Sequence, residues 1–232
     1  RAISELRRGG KVVISDNNKG ISVLLTPSEL IQKDTVETLS RLSHSRPNII
    51  LSSNRCKALG IKTNNKPCSI LINKNWSVSD IMSLCLPLSN QKQPEINGVV
   101  TESENGIASS ALLILRQARL LPAALMSLIS KVAIENIRDW CFKNNLIHVD
   151  LEDIMFYETV SADSLVMEVK ANVPLAYTDK CEIIVFRPRD GGHEHFCLVF
   201  GKTRDVTNSS RINPLVRIHS QCITGDILDS LK

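Results

Sequence analysis

The chain has 232 residues, of which 43% are hydrophobic and 22% charged, so it can form one large or two smaller globular domains with a buried core. Its 28 basic and 24 acidic residues give a net charge of only +4, and 4% of residues are aromatic, which argues against a nucleic-acid partner. No apolar run exceeds five residues, and the one at 111–115 is followed by Arg116 and Arg119, so these runs are too short to cross a membrane.

The cysteines are odd in number and scattered, with no C-x-x-C pair, which favours free thiols in a reducing compartment. No signal-peptide pattern opens the sequence, because Arg1, Glu5, Arg7 and Arg8 interrupt its first turns. We therefore expect a cytoplasmic protein. Six of the seven cysteines lie in apolar or helical contexts and are predicted to be structural: Cys56, Cys68, Cys85, Cys141, Cys181 and Cys197.

Helix and strand signals alternate over the first 160 residues. A short helix over 1–8 and strands over 11–15 and 20–25 come first, and 26–42 is predicted to be a helix. Thr26 would be its N-cap, Pro27 its first residue and Glu29 the partner in a capping box. Later strands are predicted at 46–53, 68–73, 97–103 and 123–129, and later helices at 109–120, at 131–145 and directly after Ser77, which has capping-box spacing to Asp80. Trp76 and Trp140 are predicted to be packing anchors.

The pattern changes near residue 163, where strand signals separated by turn-rich pieces take over. Strands are predicted at 164–176, 180–188, 195–203 and 215–221, and a helix only at 226–232. The chain is thus predicted to be α/β (α+β), with a domain over 1–163 built on a core sheet flanked by helices and a β-rich segment over 164–232.

Two short motifs could carry chemistry. His193 and His195 would share one face of a strand, where they could ligate a metal or simply be strand-edge histidines. Cys222 could be a zinc thiolate or a small buried apolar residue. The residue types alone leave both alternatives open.

A resemblance favours the functional alternative for Cys222. The sequences GGHEHFCLVFG at 191–201, PLVRIHSQCITGD at 214–226 and SLK at 230–232 resemble the amino-terminal signature of GTP cyclohydrolase II, over roughly 165–232. The resemblance implies that Cys222 is the first of three zinc thiolates. It also places the GTP-contacting segment at Arg217, Ile218, His219, Ser220 and Gln221. Gln221 stands where the family has Glu, which puts any role of that carboxylate in doubt.

The implied reaction is the hydrolysis of a cyclic amidine in riboflavin biosynthesis. Zn²⁺ held by three cysteines would activate the water that attacks C8 of guanine, and Mg²⁺ would accompany GTP. Formate and pyrophosphate would be released, and the remaining product would be 2,5-diamino-6-ribosylamino-pyrimidinone 5′-phosphate. In the register of the family, the other two cysteines and the acid/base groups fall beyond Lys232, so no catalytic residue is assigned and the 232 residues alone are expected to be inactive.

The first domain resembles 3,4-dihydroxy-2-butanone 4-phosphate synthase in the segments AISELRRGGKVVISD and NGIASSALLILRQARLLPAALM. The acidic magnesium loop of that family corresponds to 15–22, where Asp16 is the only carboxylate, and its G-H-T-E-A motif corresponds to 106–110, which reads GIASS. We therefore expect that synthase activity is lost and that 16–20 is a plain hairpin turn.

Three hypotheses follow. The protein is a GTP cyclohydrolase II with a degenerate synthase-like domain, a bifunctional enzyme that retains the synthase, or a non-catalytic module that regulates or scaffolds a riboflavin enzyme. Both resembled families usually dimerise, so a homodimer is expected.

Overall fold

The computed structural model describes residues 1–87, 93–103, 106–189, 192–201, 215–219 and 222–230. The chain divides into two compact units, Arg1–Thr159 and Val160–Lys232. The division falls four residues before the boundary at 163/164 that the sequence predicts.

The first unit is built on a sheet of seven strands in the order β5-β4-β3-β6-β2-β1-β7. Neighbouring strands are antiparallel except β1 and β7, which are parallel. The strands are β1 Val12–Asp16, β2 Ile21–Pro27, β3 Asn48–Leu51, β4 Cys68–Leu71, β5 Val99–Thr101, β6 Ala123–Leu128 and β7 Ile147–Asp150.

Helices cover both faces of this sheet because its strands alternate apolar side chains between the faces. Val13 and Leu24 belong to one core, whereas Ile14 and Leu25 belong to the other. The helices are α1 Ala2–Arg7, α2 Thr35–Ser43, α3 Ser53–Ala58, α4 Val78–Cys85, α5 Ile107–Gln117, α6 Ile137–Lys143 and α7 Leu151–Asp163. Buried residues of α2, α3, α4 and α6 line the first core, and those of α1, α5 and α7 line the second. The predicted core sheet flanked by helices is confirmed.

The helix predicted from Thr26 is wrong at its start. Thr26 and Pro27 continue β2 and pair with Leu125 and Ala124 of β6. The Glu29 carboxylate accepts a hydrogen bond from the Leu121 backbone N–H at 3.2 Å instead of closing a capping box. A short 3₁₀ helix, Ser28–Leu30, follows, and α2 begins only at Thr35. Pairing with a buried strand outweighs the local capping pattern here.

Other local predictions fare better. The Ser77–Asp80 capping box is present at the start of α4, and Trp76 and Trp140 pack against the first core as expected. The helix predicted at 131–145 begins only at Ile137, after a 3₁₀ helix, Ile134–Asn136. Helices α3 and α7 and strand β7 were not predicted.

The second unit contains an antiparallel sheet in the order β10-β9-β8, formed by β8 Leu165–Asn172, β9 Cys181–Pro188 and β10 His195–Phe200. Residues 215–219 have no regular secondary structure, so the strand predicted there is not found, and 220–221 lie outside the described residues. The last helix, α8, spans Ile223–Ile227 and not 226–232. In the parts of the chain that the structure describes, no helix has the length and apolarity needed to cross a bilayer.

Five of the six cysteines predicted to be structural are buried, but Cys197 on β10 is exposed. It lies in a sheet whose residues are mostly exposed on both faces, so the apolar sequence around it does not imply burial. All seven cysteines are free thiols.

We predict that Ser77→Ala lowers the free energy of unfolding by about 1 kcal/mol, because it removes an N-cap side chain. The Ser77 hydroxyl accepts from the Asp80 N–H at 3.2 Å, and the Asp80 carboxylate accepts from the Ser77 N–H at 2.8 Å. The Ser77 hydroxyl also donates to the Asp80 carboxylate at 2.8 Å, and this bond, together with the one from the Ser77 N–H, lowers the pKa of Asp80. Urea unfolding followed by circular dichroism measures the change. Ser4→Ala, at an exposed position of α1, is the control, and equal midpoints for the two variants would contradict the prediction.

Candidate functional site

The predicted GTP-contacting segment lies just before α8. Arg217, Ile218 and His219 are exposed, and Ile218 has 93% of its surface accessible. Ser220 and Gln221 lie outside the described residues. Cys222 is half-buried and is the N-cap residue of α8. The segment therefore presents a guanidinium, an imidazole and a thiol from a non-regular stretch of chain.

Asp226 joins two of the predicted site residues. Its Oδ2 accepts the backbone N–H of Cys222 at 2.8 Å, and its Oδ1 lies 3.5 Å from Nε2 of His219. The Asp226 N–H in turn donates to the Cys222 carbonyl at 2.6 Å. The carboxylate thus restrains the turn that carries the thiol, and it lies close to the imidazole of His219.

The thiol has a further neighbour, since Sγ of Cys222 lies 3.4 Å from Oγ1 of Thr224. Thr224 and Asp226 both belong to the T-G-D sequence after Cys222, to which no role was assigned from the sequence. The sequence pattern that could predict these contacts is C-x-T-x-D, in which a short polar side chain and a carboxylate follow the cysteine within about one helical turn.

Donor atoms suited to zinc are present on Cys222, His219 and Asp226, but they do not converge on one point. Over the ranges that the structure describes, no group of three or more His, Cys, Asp or Glu side chains is arranged to hold a metal ion. A zinc site needs at least three protein ligands. The described residues of the segment thus offer one thiol and not a complete zinc site.

The other predicted motif, His193 and His195, is split by the end of a strand. His195 is the first residue of β10, whereas His193 precedes it, so the two do not share a strand face. Of the two, only His193 lines an open cavity of about 530 Å³, whose other lining residues are Ile183, Val185, Gly192, Glu194 and Phe196. Glu194 also pairs with Arg187, whose Nε donates to Oε1 at 3.2 Å.

In the first unit, the loop that corresponds to the magnesium loop of the synthase is the β1–β2 hairpin, as predicted. Its polar side chains are engaged within the protein. Asp16 pairs with Lys19 at 3.7 Å, and the amides of Asn17 and Asn18 donate to Asp150 at 3.0 Å and Glu152 at 3.1 Å.

The G-I-A-S-S sequence forms the start of α5 and offers no imidazole or carboxylate. Gly106 is the N-cap residue, and the Ser109 hydroxyl donates to the carbonyl of Ser103 at 2.8 Å. Ala108 and Ser110 are buried. The first turn of this helix therefore has no strong ligand for magnesium.

A polar array that the sequence did not reveal lies beside the hairpin, on β7. Nε2 of His148 is 2.9 Å from the Ser15 hydroxyl, which is 2.8 Å from the Ser22 hydroxyl. The same Nε2 is 3.7 Å from Asp150, and Asp150 pairs with Arg138 at 2.9 Å. One nitrogen faces both the serine and the aspartate, and Ser15 is only 1% exposed. The array is therefore not a nucleophilic triad.

Burial is the main cause that lowers the pKa of His148. Asp150 and Asp153 oppose this effect, and the Arg138 guanidinium adds to it. The folded protein therefore favours the neutral imidazole, which can bond to Ser15 without a charge.

Comparison with known proteins bears on both resemblances. Residues 166–232 match the family GTP cyclohydrolase II. The resemblance seen in the motifs is confirmed for this stretch.

Similar proteins extend the comparison to the whole chain. A GTP cyclohydrolase-2 of Azospirillum brasilense is 29% identical over 240 residues, which cover 100% of this chain and 59% of that protein. The riboflavin biosynthesis protein RibBA of Phocaeicola vulgatus is 24% identical and is matched over 100% of this chain and 64% of its own length. The chain thus spans about three fifths of the length of these relatives.

The fold resembles a solved structure of the other family. The two-domain 3,4-dihydroxy-2-butanone 4-phosphate synthase RibBX of A. baumannii has a TM-score of 0.55 at 14% identity, over 91% of this chain and 76% of that one. The predicted likeness to a synthase fold is confirmed.

We predict that acid destabilises the first unit partly through His148. Because its folded pKa lies below the ordinary value of 6.5, the stability that it contributes is present above about pH 6.5 and is lost as pH falls towards the folded pKa, by at most about 1.4 kcal/mol per pH unit. His148→Gln should remove this part of the pH dependence. Urea midpoints at pH 7.5 and 5.5 measure it.

The control for this prediction is His44→Asn, which changes an exposed histidine in a left-handed position that Asn tolerates. An acid shift that is equal in the wild type and in His148→Gln, but smaller in His44→Asn, would overturn the assignment.

Proposed function

We propose that the gene product carrying this chain is a GTP cyclohydrolase II of riboflavin biosynthesis. The observation that carries the proposal is the family match over 166–232, which contains the whole R-I-H-S-Q-C segment. The arrangement at Asp226 supports it, because one carboxylate orients both the imidazole and the chain that bears the thiol. The product would be the diaminopyrimidine ribosyl phosphate, together with formate and pyrophosphate.

The exposed residues of the segment are suited to binding a nucleoside triphosphate. The guanidinium of Arg217 has planar, forked donors that match phosphate oxygens. His219 is held beside Asp226 and would serve as a polar contact, and Ile218, Ser220 and Gln221 complete the proposed GTP-binding stretch. Mg²⁺ would enter with GTP.

Cys222 would supply one thiolate of a zinc site. The half-buried thiol lies on a turn that two hydrogen bonds restrain, so it can be presented in one orientation. Zinc, when bound, supplies a Lewis acid and an activated water. The remaining ligands are not assigned to any described residue.

The first unit would act as a scaffold, dimerisation surface or regulator, without synthase activity. The support is local: the hairpin side chains are already paired with Lys19, Asp150 and Glu152, and the start of α5 lacks an imidazole and a carboxylate. The similarity to RibBA favours the bifunctional alternative. The non-catalytic alternative is favoured because, among the described residues, no three metal ligands lie together.

We predict that Cys222→Ser abolishes zinc binding and lowers formate release from GTP at least about 100-fold in the gene product that contains this chain, because a hydroxyl is a poor zinc ligand. Metal content by plasma mass spectrometry and formate release measure the two effects. Cys197→Ser, which changes the exposed cysteine of β10, is the matched control and should behave as the wild type.

The 232-residue chain by itself should bind no stoichiometric zinc and release no formate. Full zinc occupancy in Cys222→Ser would contradict the assignment of Cys222 as a zinc ligand. A gene product that binds GTP without turnover would favour the non-catalytic alternative.

We also predict that ribulose 5-phosphate is not converted by this chain in the presence of Mg²⁺. The expected result is no formation of dihydroxybutanone phosphate above the enzyme-free rate. An active single-function synthase assayed in parallel shows that the assay works. Turnover by this chain would establish the bifunctional alternative.

A further inference from the structure

Two buried cysteines of the first unit meet in its core, and neither belongs to the proposed GTP-binding segment. Cys56 lies in α3 and Cys68 in β4, and their sulfur atoms are 2.7 Å apart. Both residues are 0% exposed. They are free thiols, and the function proposed above uses neither.

The fold sets this contact through adjacent elements. Strand β3 pairs with β4 so that Leu51 lies opposite Cys68, and α3 starts two residues after β3 ends. The first turn of α3 therefore brings Cys56 back over the start of β4. Its thiol also lies 3.9 Å from the Leu51 carbonyl.

The chain between the two cysteines has little regular structure and few buried side chains. Residues 57–67 contain no strand and only the end of α3, and most of their side chains are exposed or half-buried. Gly60, Asn64 and Asn65 have positive φ, which is typical of turns. Segments with exposed backbone and few buried side chains open locally more readily than the core.

The two thiols differ in acidity because they share one hydrogen bond. The bond from the Cys68 thiol lowers the pKa of Cys56, and the same bond raises the pKa of Cys68 above its ordinary value. Cys141, also buried, has a pKa raised to about 11 by burial. Cys56 is therefore the thiol of this pair that ionises first, and thiolates are the reactive form.

We propose that Cys56 and Cys68 form an oxidant-responsive dithiol that closes to an intramolecular disulfide. A hydroperoxide is the oxidant. The Cys56 thiolate attacks one peroxide oxygen, the O–O bond breaks, and the product is a sulfenic acid and, after protonation, water or an alcohol. The Cys68 thiol then loses its proton as its sulfur attacks the Cys56 sulfur, the S–O bond breaks, and the hydroxide leaves with that proton as water. Two thiols lose two electrons, and the peroxide gains them.

The disulfide would tie α3 to β4. It would stabilise the first unit by restricting the unfolded chain between the two residues, and it would resist the local opening that admitted the oxidant. A thiol reductant would reverse it once the segment opens.

Treatment of the folded chain with hydrogen peroxide, followed by alkylation and peptide mapping, tests the proposal. Trypsin cleaves after Arg55, Lys57 and Lys62, so the disulfide would join the peptide 56–57 to the peptide 63–74. We expect this linked pair, a mass loss of two hydrogens, a rise in the urea midpoint, and the reversal of all three by dithiothreitol.

Cys56→Ala and Cys68→Ala should each prevent the mass loss and the rise in the midpoint, whereas Cys141→Ala, in the same core, should keep both. If the alanine variants do not fold, the peptide map of the wild type still decides. Overoxidised Cys56 without a link, a link to Cys85, or unmodified thiols under conditions that oxidise the exposed Cys197 would each overturn the proposal.

Discussion

The sheet of the first unit depends on one strand, β6, which pairs with β2 on one side and β3 on the other. Without it the strands β5-β4-β3 and β2-β1-β7 would have no hydrogen bonds in common. Ala124 and Leu125 are fully buried and belong to different cores, so the strand joins the two helical layers as well as the two halves of the sheet. The hairpin and the His148 array lie in one half of the sheet and the dithiol borders the other half, so β6 is the strand that connects them.

Local signals in the sequence predict the elements that depend on local forces. The capping box of Ser77 and Asp80 needs only four residues, and β1, β2 and β6 are apolar enough to be recognised alone. The same reasoning failed at Thr26, where an N-cap pattern lies in a strand because β6 supplies a partner. Strand β7 escaped prediction because His148 and Asp150 occupy one of its faces, and their polarity is explained only by the neighbouring hairpin.

The candidate site shows the same division. The motif identifies Arg217, His219 and Cys222, but it does not say that Asp226 holds the last two together. A carboxylate four residues after a cysteine can accept the backbone N–H of that cysteine only when a helix starts there, as α8 does. The strand predicted at 215–221 rested on alternating apolar residues, and the described residues 215–219 have no partner strand that would make such alternation useful. In the first unit, by contrast, the sequence alone identifies the residue types at the positions that the resemblance aligns with magnesium ligands, and the structure places them in the β1–β2 hairpin and at the start of α5.

The parallel pairing of β1 with β7 has a consequence for how the protein forms. Val12 lies beside Ile147, so nearly the whole first unit must be synthesised before the edge of its sheet can close. Contacts between residues so distant in sequence are slow to form, because the entropy of closing the intervening loop is lost before the contacts compensate for it. During synthesis the β1–β2 hairpin would emerge before both of its neighbours in the sheet, and the β1 edge would stay unpaired until β7 is made. We therefore expect the folding rate of this unit to be limited by the pairing of β7, a short, polar strand near the end of the unit.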